Sequence, residues 1–289
     1  MGELESIPSG NDTWPFVLTI AGMDPCGGAG VLADIKTFQR QAVYGLAVMT
    51  CNTIQTDTEL SDLEWVEEER ILKAIDKLSV RYAIQAVKIG VVKSRQMLRS
   101  ILDKLHQLLP EAAIVWDPVF KASSQAAFFL FGKEERNGHF FRDWNQILKL
   151  CTIITPNAQE AAVLGQLTGL ISTVPAQLTI GTLDGMIRKL ASHTAVLLKA
   201  GHLEEASSLD RLYYIDSQNN LMVDAIGNPL KNVKIDRRYE KHGSGCVHSS
   251  TLTAAVARKH PLPEAAVVAK NYVEEFLMST ALPLGLHST

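Results

Sequence analysis

The chain has 289 residues, 46% of them hydrophobic, and its 28 Lys and Arg against 31 Asp and Glu give a formal net charge of −3. That length is enough to bury one large core, since single domains extend to roughly 250–300 residues, and the charge balance lacks the clustered basic face on which nucleic-acid binding depends. Its apolar runs fall far short of the ~20 residues of a membrane span, and the four scattered cysteines, Cys26, Cys51, Cys151 and Cys246, suggest reduced thiols in a cytoplasmic protein rather than a disulfide framework or a structural zinc.

Residues 1–15 are polar and turn-rich and lack a secretory pattern. Met1-Gly2-Glu3-Leu4-Glu5-Ser6 formally fits a myristoylation motif, but its acidic neighbours favour a plain polar leader ahead of one domain over residues 16–289. Phe16 to Ala21 reads as a buried strand stopped by Gly22. Gly30 to Ala42 has near-helical apolar spacing at Val31, Ile35 and Phe38, and Leu46 to Ile54 reads as a second strand. A helix over Glu67 to Val80 is predicted to turn Ile71, Ile75 and Leu78 inward. The alternation continues with strand Ala86 to Ile89, helix Ser94 to Leu109, and strands Ala113 to Trp116, Cys151 to Ile154 and Ala195 to Leu198. Such alternation predicts βαβ units around a mostly parallel sheet covered on both faces. Glu204 to Val223, around Gln218-Asn219-Asn220, reads as antiparallel edge strands. Helices over Cys246 to Lys259 and Glu264 to Ser279 end the chain.

Sheets of this kind hold ligands at the carboxyl ends of their strands, which directs attention to four loops. In Gly22-Met23-Asp24-Pro25-Cys26-Gly27-Gly28-Ala29-Gly30, four glycines let backbone approach a ligand. The spacing is neither a dinucleotide fingerprint nor a Walker loop, and Asp24 could equally be a cap in a tight turn. Lys241-His242-Gly243-Ser244-Gly245-Cys246 opens a helix, where unpaired N–H groups and the helix dipole favour an anion such as a transferring phosphate. The same field is expected to lower the Cys246 thiol pKa and so equip it to accept a hydroxyl proton. A buried cysteine at a helix cap is the plainer alternative. In Thr155-Pro156-Asn157-Ala158-Gln159-Glu160, Asn157 and Glu160 fit a capping box or, alternatively, organise water around magnesium. Asp117, pinned by Pro118 at a strand end, suits a metal or phosphate but would also cap a turn.

The order and spacing of these elements resemble hydroxymethylpyrimidine/phosphomethylpyrimidine kinases of the ribokinase-like superfamily. The resemblance runs from Ala21 to Gly30 and Ala33 to Phe38 through Gln55-Thr56, Val87-Lys88-Ile89-Gly90, Trp116 to Val119, Ile154 to Asn157 with Glu160, Leu198 to His202, and His242 to Cys246. It implies a three-layer α/β/α sandwich and ATP-dependent phosphorylation of a hydroxymethylpyrimidine and then of its monophosphate, in thiamine biosynthesis. By the same resemblance, Asp24, Gln55, Gly22 and Val91 would line the pyrimidine. Gly243, Ser244, Gly245 and Cys246 would form the anion hole with Cys246 as base. Lys199 and Asn157 would serve ATP, and Glu160 with Asp117 would hold Mg2+. A homodimer is implied as well.

Met23 and Cys26 stand where the family usually has serine, Val91 where it usually has methionine, and Ser244 where threonine is common. The aromatic segment Phe120 to Phe141 could be lid, dimer contact or core. His248, two residues after Cys246, is read as a capping or surface side chain. A pyridoxal kinase of the same superfamily and a catalytically silent pyrimidine-binding protein remain as alternatives.

Overall fold

The computed structural model describes residues 14–121, 128–129, 138–199, 209–227 and 241–287. The apolar run at its start forms β1 (Phe16–Met23), buried along nearly its whole length, as a strand between two helical layers must be. Helix α1 (Gly30–Arg40) leads to β2 (Tyr44–Gln55), which turns back into the antiparallel β3 (Leu60–Trp65). The chain then alternates through α2 (Glu68–Arg81), β4 (Ile84–Ile89), α3 (Arg95–Leu108), β5 (Ala113–Trp116), α4 (Gly138–Lys149) and β6 (Ile153–Ile154). Two helices, α5 (Ala158–Leu167) and α6 (Ile180–Leu190), precede β7 (Ala195–Leu198). The hairpin β8 (Asp210–Ile215) and β9 (Leu221–Ile226) follows, with Asn219 at φ 65° in its turn, and then α7 (Ser244–Ala257) and α8 (Leu262–Met278).

The strands among the described residues form one nine-stranded sheet in the order β3-β2-β1-β4-β5-β6-β7-β8-β9. It is parallel from β2 to β7 and antiparallel at both edges. Neighbouring residues of a strand point into opposite layers. Leu18, Ile114 and Trp116 join a core built with Ile71, Leu98, Trp144, Leu164 and Ile187 from α2 to α6. On the other face, Val17 packs with Phe38 and Ala254, and Val115 with Leu252 and Ala266, from α1, α7 and α8. The result is the expected three-layer α/β/α sandwich. Among the described residues, no helix is long and apolar enough to cross a membrane.

Three elements escape the periodicity reading. β3 carries polar residues on an edge with little to bury; α4 begins inside the aromatic stretch, and α6 follows a run without a clear stripe. Much of the aromatic segment is core: Phe120, Phe128 and Phe129 are buried, and Trp116 stacks on Trp144 at 6.3 Å with Phe129 tilted 5.8 Å from Trp144. Residues 1–13 of the leader, Phe131, Gly201 and His202 lie outside the described residues.

Candidate active site

The first glycine-rich loop folds around one carboxylate. Asp24 is 1% exposed. Its Oδ1 accepts the Cys26 N–H (3.0 Å), and its Oδ2 accepts the Ala29 N–H (2.8 Å) and the Cys26 thiol (3.1 Å) and lies 2.9 Å from His242 Nε2. Burial alone would raise this carboxyl, but the bonds from His242, Cys26 and the backbone hold it at about 2. The side chain assigned to pyrimidine contact by resemblance thus has partners within the protein. Asp24 shapes its own loop and ties it to the turn before α7. The same bonds account for the closeness of the Asp24, Cys26 and His242 donor atoms, which lie within 4.8 Å of one another.

Backbone packing brings the two loops together as well. Gly243 has φ 76°, and a Cβ there would drive into the Gly28 carbonyl. A Cβ on Gly28 would in turn meet the His242 ring at 2.6 Å. At Gly243 two backbones share the space, and at Gly28 the His242 and Leu284 side chains fill it.

Asp117 and Lys199 directly follow β5 and β7, and Glu160 sits in the first turn of α5, after β6. Lys199 Nζ donates to Asp117 Oδ1 (2.8 Å) and lies 3.9 Å from Glu160 Oε2. Asp117 also accepts the Thr155 and Ser249 hydroxyls, each at 3.0 Å. Burial raises the Asp117 carboxyl, but Lys199 and Lys88 overcome it and the net shift is downward. Glu160 goes the other way: burial pushes it up to about 7 even though Lys199 opposes the shift. Asn157 and Glu160 complete the expected capping box, Glu160 N–H to Asn157 Oδ1 at 2.9 Å and Asn157 N–H to Glu160 Oε2 at 2.7 Å. One oxygen of Glu160 thus fixes the helix start while the carboxylate faces the lysine. Two carboxylates sharing one lysine are hard-oxygen donors of the kind Mg2+ takes.

The start of α7 meets this cluster. A Cβ on Gly245 would lie 3.4 Å from Lys199 Nζ. The Ser244 N–H, expected to be free for an anion, donates instead to the Lys241 carbonyl (3.2 Å) within the turn. The helical ladder begins with Val247 N–H to Gly243 O (3.0 Å), so the N–H groups of Gly245 and Cys246 stand ahead of it. The expectation for the Cys246 thiol is reversed: burial raises its pKa, Asp34 and Asp117 add to that, and Lys88 with the Gly30 N–H offset only part. Desolvation outweighs the helix-start field. His248 is neither cap nor surface residue; its side chain is 3% exposed and its Nε2 lies 3.3 Å from Asp210 Oδ2, across from Lys270.

Gly22 and Val91 adjoin each other across β1 and β4. A Cβ on Gly22 would sit 2.7 Å from Cys51 Sγ and 3.9 Å from Val91 Cβ, and the Thr50 hydroxyl donates to Val91 O at 2.6 Å. Gln55 ends β2, two residues past Thr53, whose hydroxyl donates to Met23 O at 2.8 Å. The sequence reading missed the roles of Asp34, Lys88, Ser249 and Ser250. A charge in the middle of the buried run Ala86 to Ile89 was the available signal for Lys88.

A helix start whose first N–H groups lie ahead of the ladder, facing buried carboxylates near the strand ends of this sandwich, is the arrangement expected of a small-molecule phosphotransferase of the ribokinase-like class. The family model described as phosphomethylpyrimidine kinase matches residues 24–288. A hydroxymethylpyrimidine/phosphomethylpyrimidine kinase of Rhizobium meliloti is 32% identical over 258 residues, covering 89% of this chain and 88% of the relative. The chain belongs to the phosphomethylpyrimidine kinase family. Among solved structures, a phosphomethylpyrimidine kinase from Clostridium difficile matches with a TM-score of 0.66 at 26% identity, covering 90% of this chain and 98% of the other. A pyridoxal kinase from Staphylococcus aureus, in complex with AMP-PCP and pyridoxal, shares the fold at a TM-score of 0.70 and 22% identity, covering 94% and 92% of the two chains.

Proposed function

We propose that this kinase phosphorylates the hydroxymethyl group of 4-amino-5-hydroxymethyl-2-methylpyrimidine with ATP, and then its monophosphate, in thiamine biosynthesis. The observation that carries this reading is the convergence of the α7 start with Asp117, Glu160 and Lys199. Catalysis of in-line phosphoryl transfer is mostly positioning and charge neutralisation. The N–H groups of Gly245 and Cys246 meet charge on the moving group. Lys199 serves the nucleotide phosphates, with Asn157 holding the α5 start beside it. Cys246 receives the hydroxyl proton. Glu160 and Asp117 would hold Mg2+, which supplies neutralisation of phosphate charge when bound.

The deciding experiment is an ADP-release assay with the pyrimidine alcohol, its monophosphate and pyridoxal. Turnover on the first two is expected. A strong preference for pyridoxal would overturn the substrate, and binding of the pyrimidine without turnover would point to a silent binding protein.

The domain is read as one unit over residues 16–289. Exposed Met49 and Ile54 on the β2–β3 edge support pairing of two copies, and a monomer mass in light scattering would remove that assignment. Four free thiols accord with a reducing, cytoplasmic setting.

Glu160 makes a pH prediction. Its carboxyl is raised from about 4.5 when unfolded to about 7 when folded, so its favourable contribution is complete below the unfolded value and is lost as pH climbs to 7. Thermal unfolding without metal should therefore show wild type losing stability relative to Glu160→Gln between about pH 4.5 and 7, then running parallel above. Parallel curves throughout would contradict the assignment.

A further inference from the structure

A second charged cluster lies beneath the site and has no part in the mechanism above. Lys88 on β4 and Asp34 on α1 form an ion pair with both side chains 0% exposed. The other bonds to Asp34 come from Thr19 Oγ1 on β1 to Oδ2 (2.6 Å) and from Ser250 Oγ on α7 to Oδ1 (2.6 Å). Ser250 is four residues after Cys246, so both lie on one side of the helix, a turn apart. The adjacent Ser249 makes the parallel bond to Asp117, which is itself paired with Lys199. Two neighbouring serines thus read two buried carboxylates, each neutralised by a lysine. Only one of those lysines belongs to the phosphate side.

A pair sealed from water is a weak source of stability, because the desolvation of both ions offsets much of their attraction. Thr19 and Ser250 satisfy Asp34, while the Lys88 ammonium also acts on its surroundings. The charged groups acting on Cys246 come from every element around it: Lys88 from β4, Asp34 from α1, Asp117 after β5 and Lys199 after β7, with the Gly30 N–H from the first loop. Lys88 leads those that favour the thiolate, and it holds its proton despite burial because Asp34 faces it.

We propose that Lys88 is a positioning residue for phosphoryl transfer, a permanently buried positive charge that makes a thiolate at Cys246 attainable, while Asp34 and Ser250 hold it in register with the start of α7. The functional part of this inference rests on Cys246 as the proton acceptor; the effect of Lys88 on the thiol does not.

The test is the pH dependence of Cys246 alkylation by iodoacetamide, read on the Cys246 peptide by mass spectrometry. Lys88→Met alone would strand the Asp34 charge, so the principal variant is Lys88→Met/Asp34→Asn, which removes both charges while retaining bulk. Because Asp34 raises the thiol while Lys88 lowers it, the neutral pair is read against Asp34→Asn alone, from which it differs only in the lysine charge: its alkylation midpoint should lie about one pH unit higher, with Cys246 reacting about tenfold more slowly near neutral pH. Ser250→Ala, which keeps both charges and removes one bond, should titrate within a few tenths of a unit of wild type. Unfolding curves on the same samples identify a variant that has lost its fold, in which case Lys88→Gln/Asp34→Asn takes its place. A midpoint no higher in the neutral pair than in Asp34→Asn, or raised by as much in Ser250→Ala, would overturn the proposal. The pH profile of kcat/KM in the neutral pair separates the two ideas. A shifted thiol midpoint with an unshifted kinase profile rejects Cys246 as the base and leaves the Lys88 assignment standing.

Discussion

Cys246→Ala should lower kcat by ~10²–10⁴-fold, the usual worth of a positioned general base, with KM for ATP and for the pyrimidine changed little. The reason is local. The side chain sits at the first turn of α7, ahead of the hydrogen-bonded ladder, whereas the backbone that meets phosphate charge is untouched by the substitution. Steady-state kinetics on both substrates checks this, and near-normal turnover would reject the base while leaving the anion hole in place. Since burial raises the thiol, the wild-type rate should climb with pH along its acidic limb until the thiol in the complex is ionised. In Cys246→Ala that limb should disappear.

Gly243→Ala is expected to be the most damaging single substitution in the site. The residue is left-handed, with φ 76°, and an added Cβ meets backbone, the Gly28 carbonyl, and not a flexible side chain. Strain at positive φ costs on the order of 1–3 kcal/mol, and separating two packed loops adds to it. We expect a loss of ~3 kcal/mol or more in denaturant unfolding, and activity reduced at least as far as in Cys246→Ala, because the Asp24–His242 contact (2.9 Å) spans the same junction. Wild-type stability with wild-type turnover in Gly243→Ala would show that the two loops do not depend on each other.

Much of the fold was legible because a parallel sheet buried on both faces leaves short unbroken apolar runs, and Phe16 to Ala21 or Ala195 to Leu198 have no other comfortable place. Edge and linker elements were harder. β3 alternates weakly, since its polar residues face water, and the helical turn of α4 is masked by aromatics that are themselves core. The glycine loops and the capping box at Asn157 were readable from residue chemistry alone. Two features were out of reach for one physical reason. The partners of Asp24 and the raised thiol of Cys246 both depend on what surrounds them in space. The partner of Asp24 is His242, 218 positions away, and the environment of Cys246 is assembled from three strands, a helix and a loop. The network of Asp34, Lys88, Ser249 and Ser250 was hidden similarly, because α7 is buried along nearly its whole length and shows no polar stripe to mark which hydroxyls are spoken for.

The adjacent serines of α7 fasten that helix at two points on different sides of its circumference. Rotating it by one residue would forfeit both fastenings at once, and sliding it would uncouple the phosphate-facing turn from the acids opposite. The transfer machinery is therefore a fixed anvil. On the proposed function, adaptation to a different flat ring falls to residues outside that helix, such as Val91 or Gln55, and a site of this construction can change its preferred alcohol without rebuilding the step that delivers the phosphoryl group.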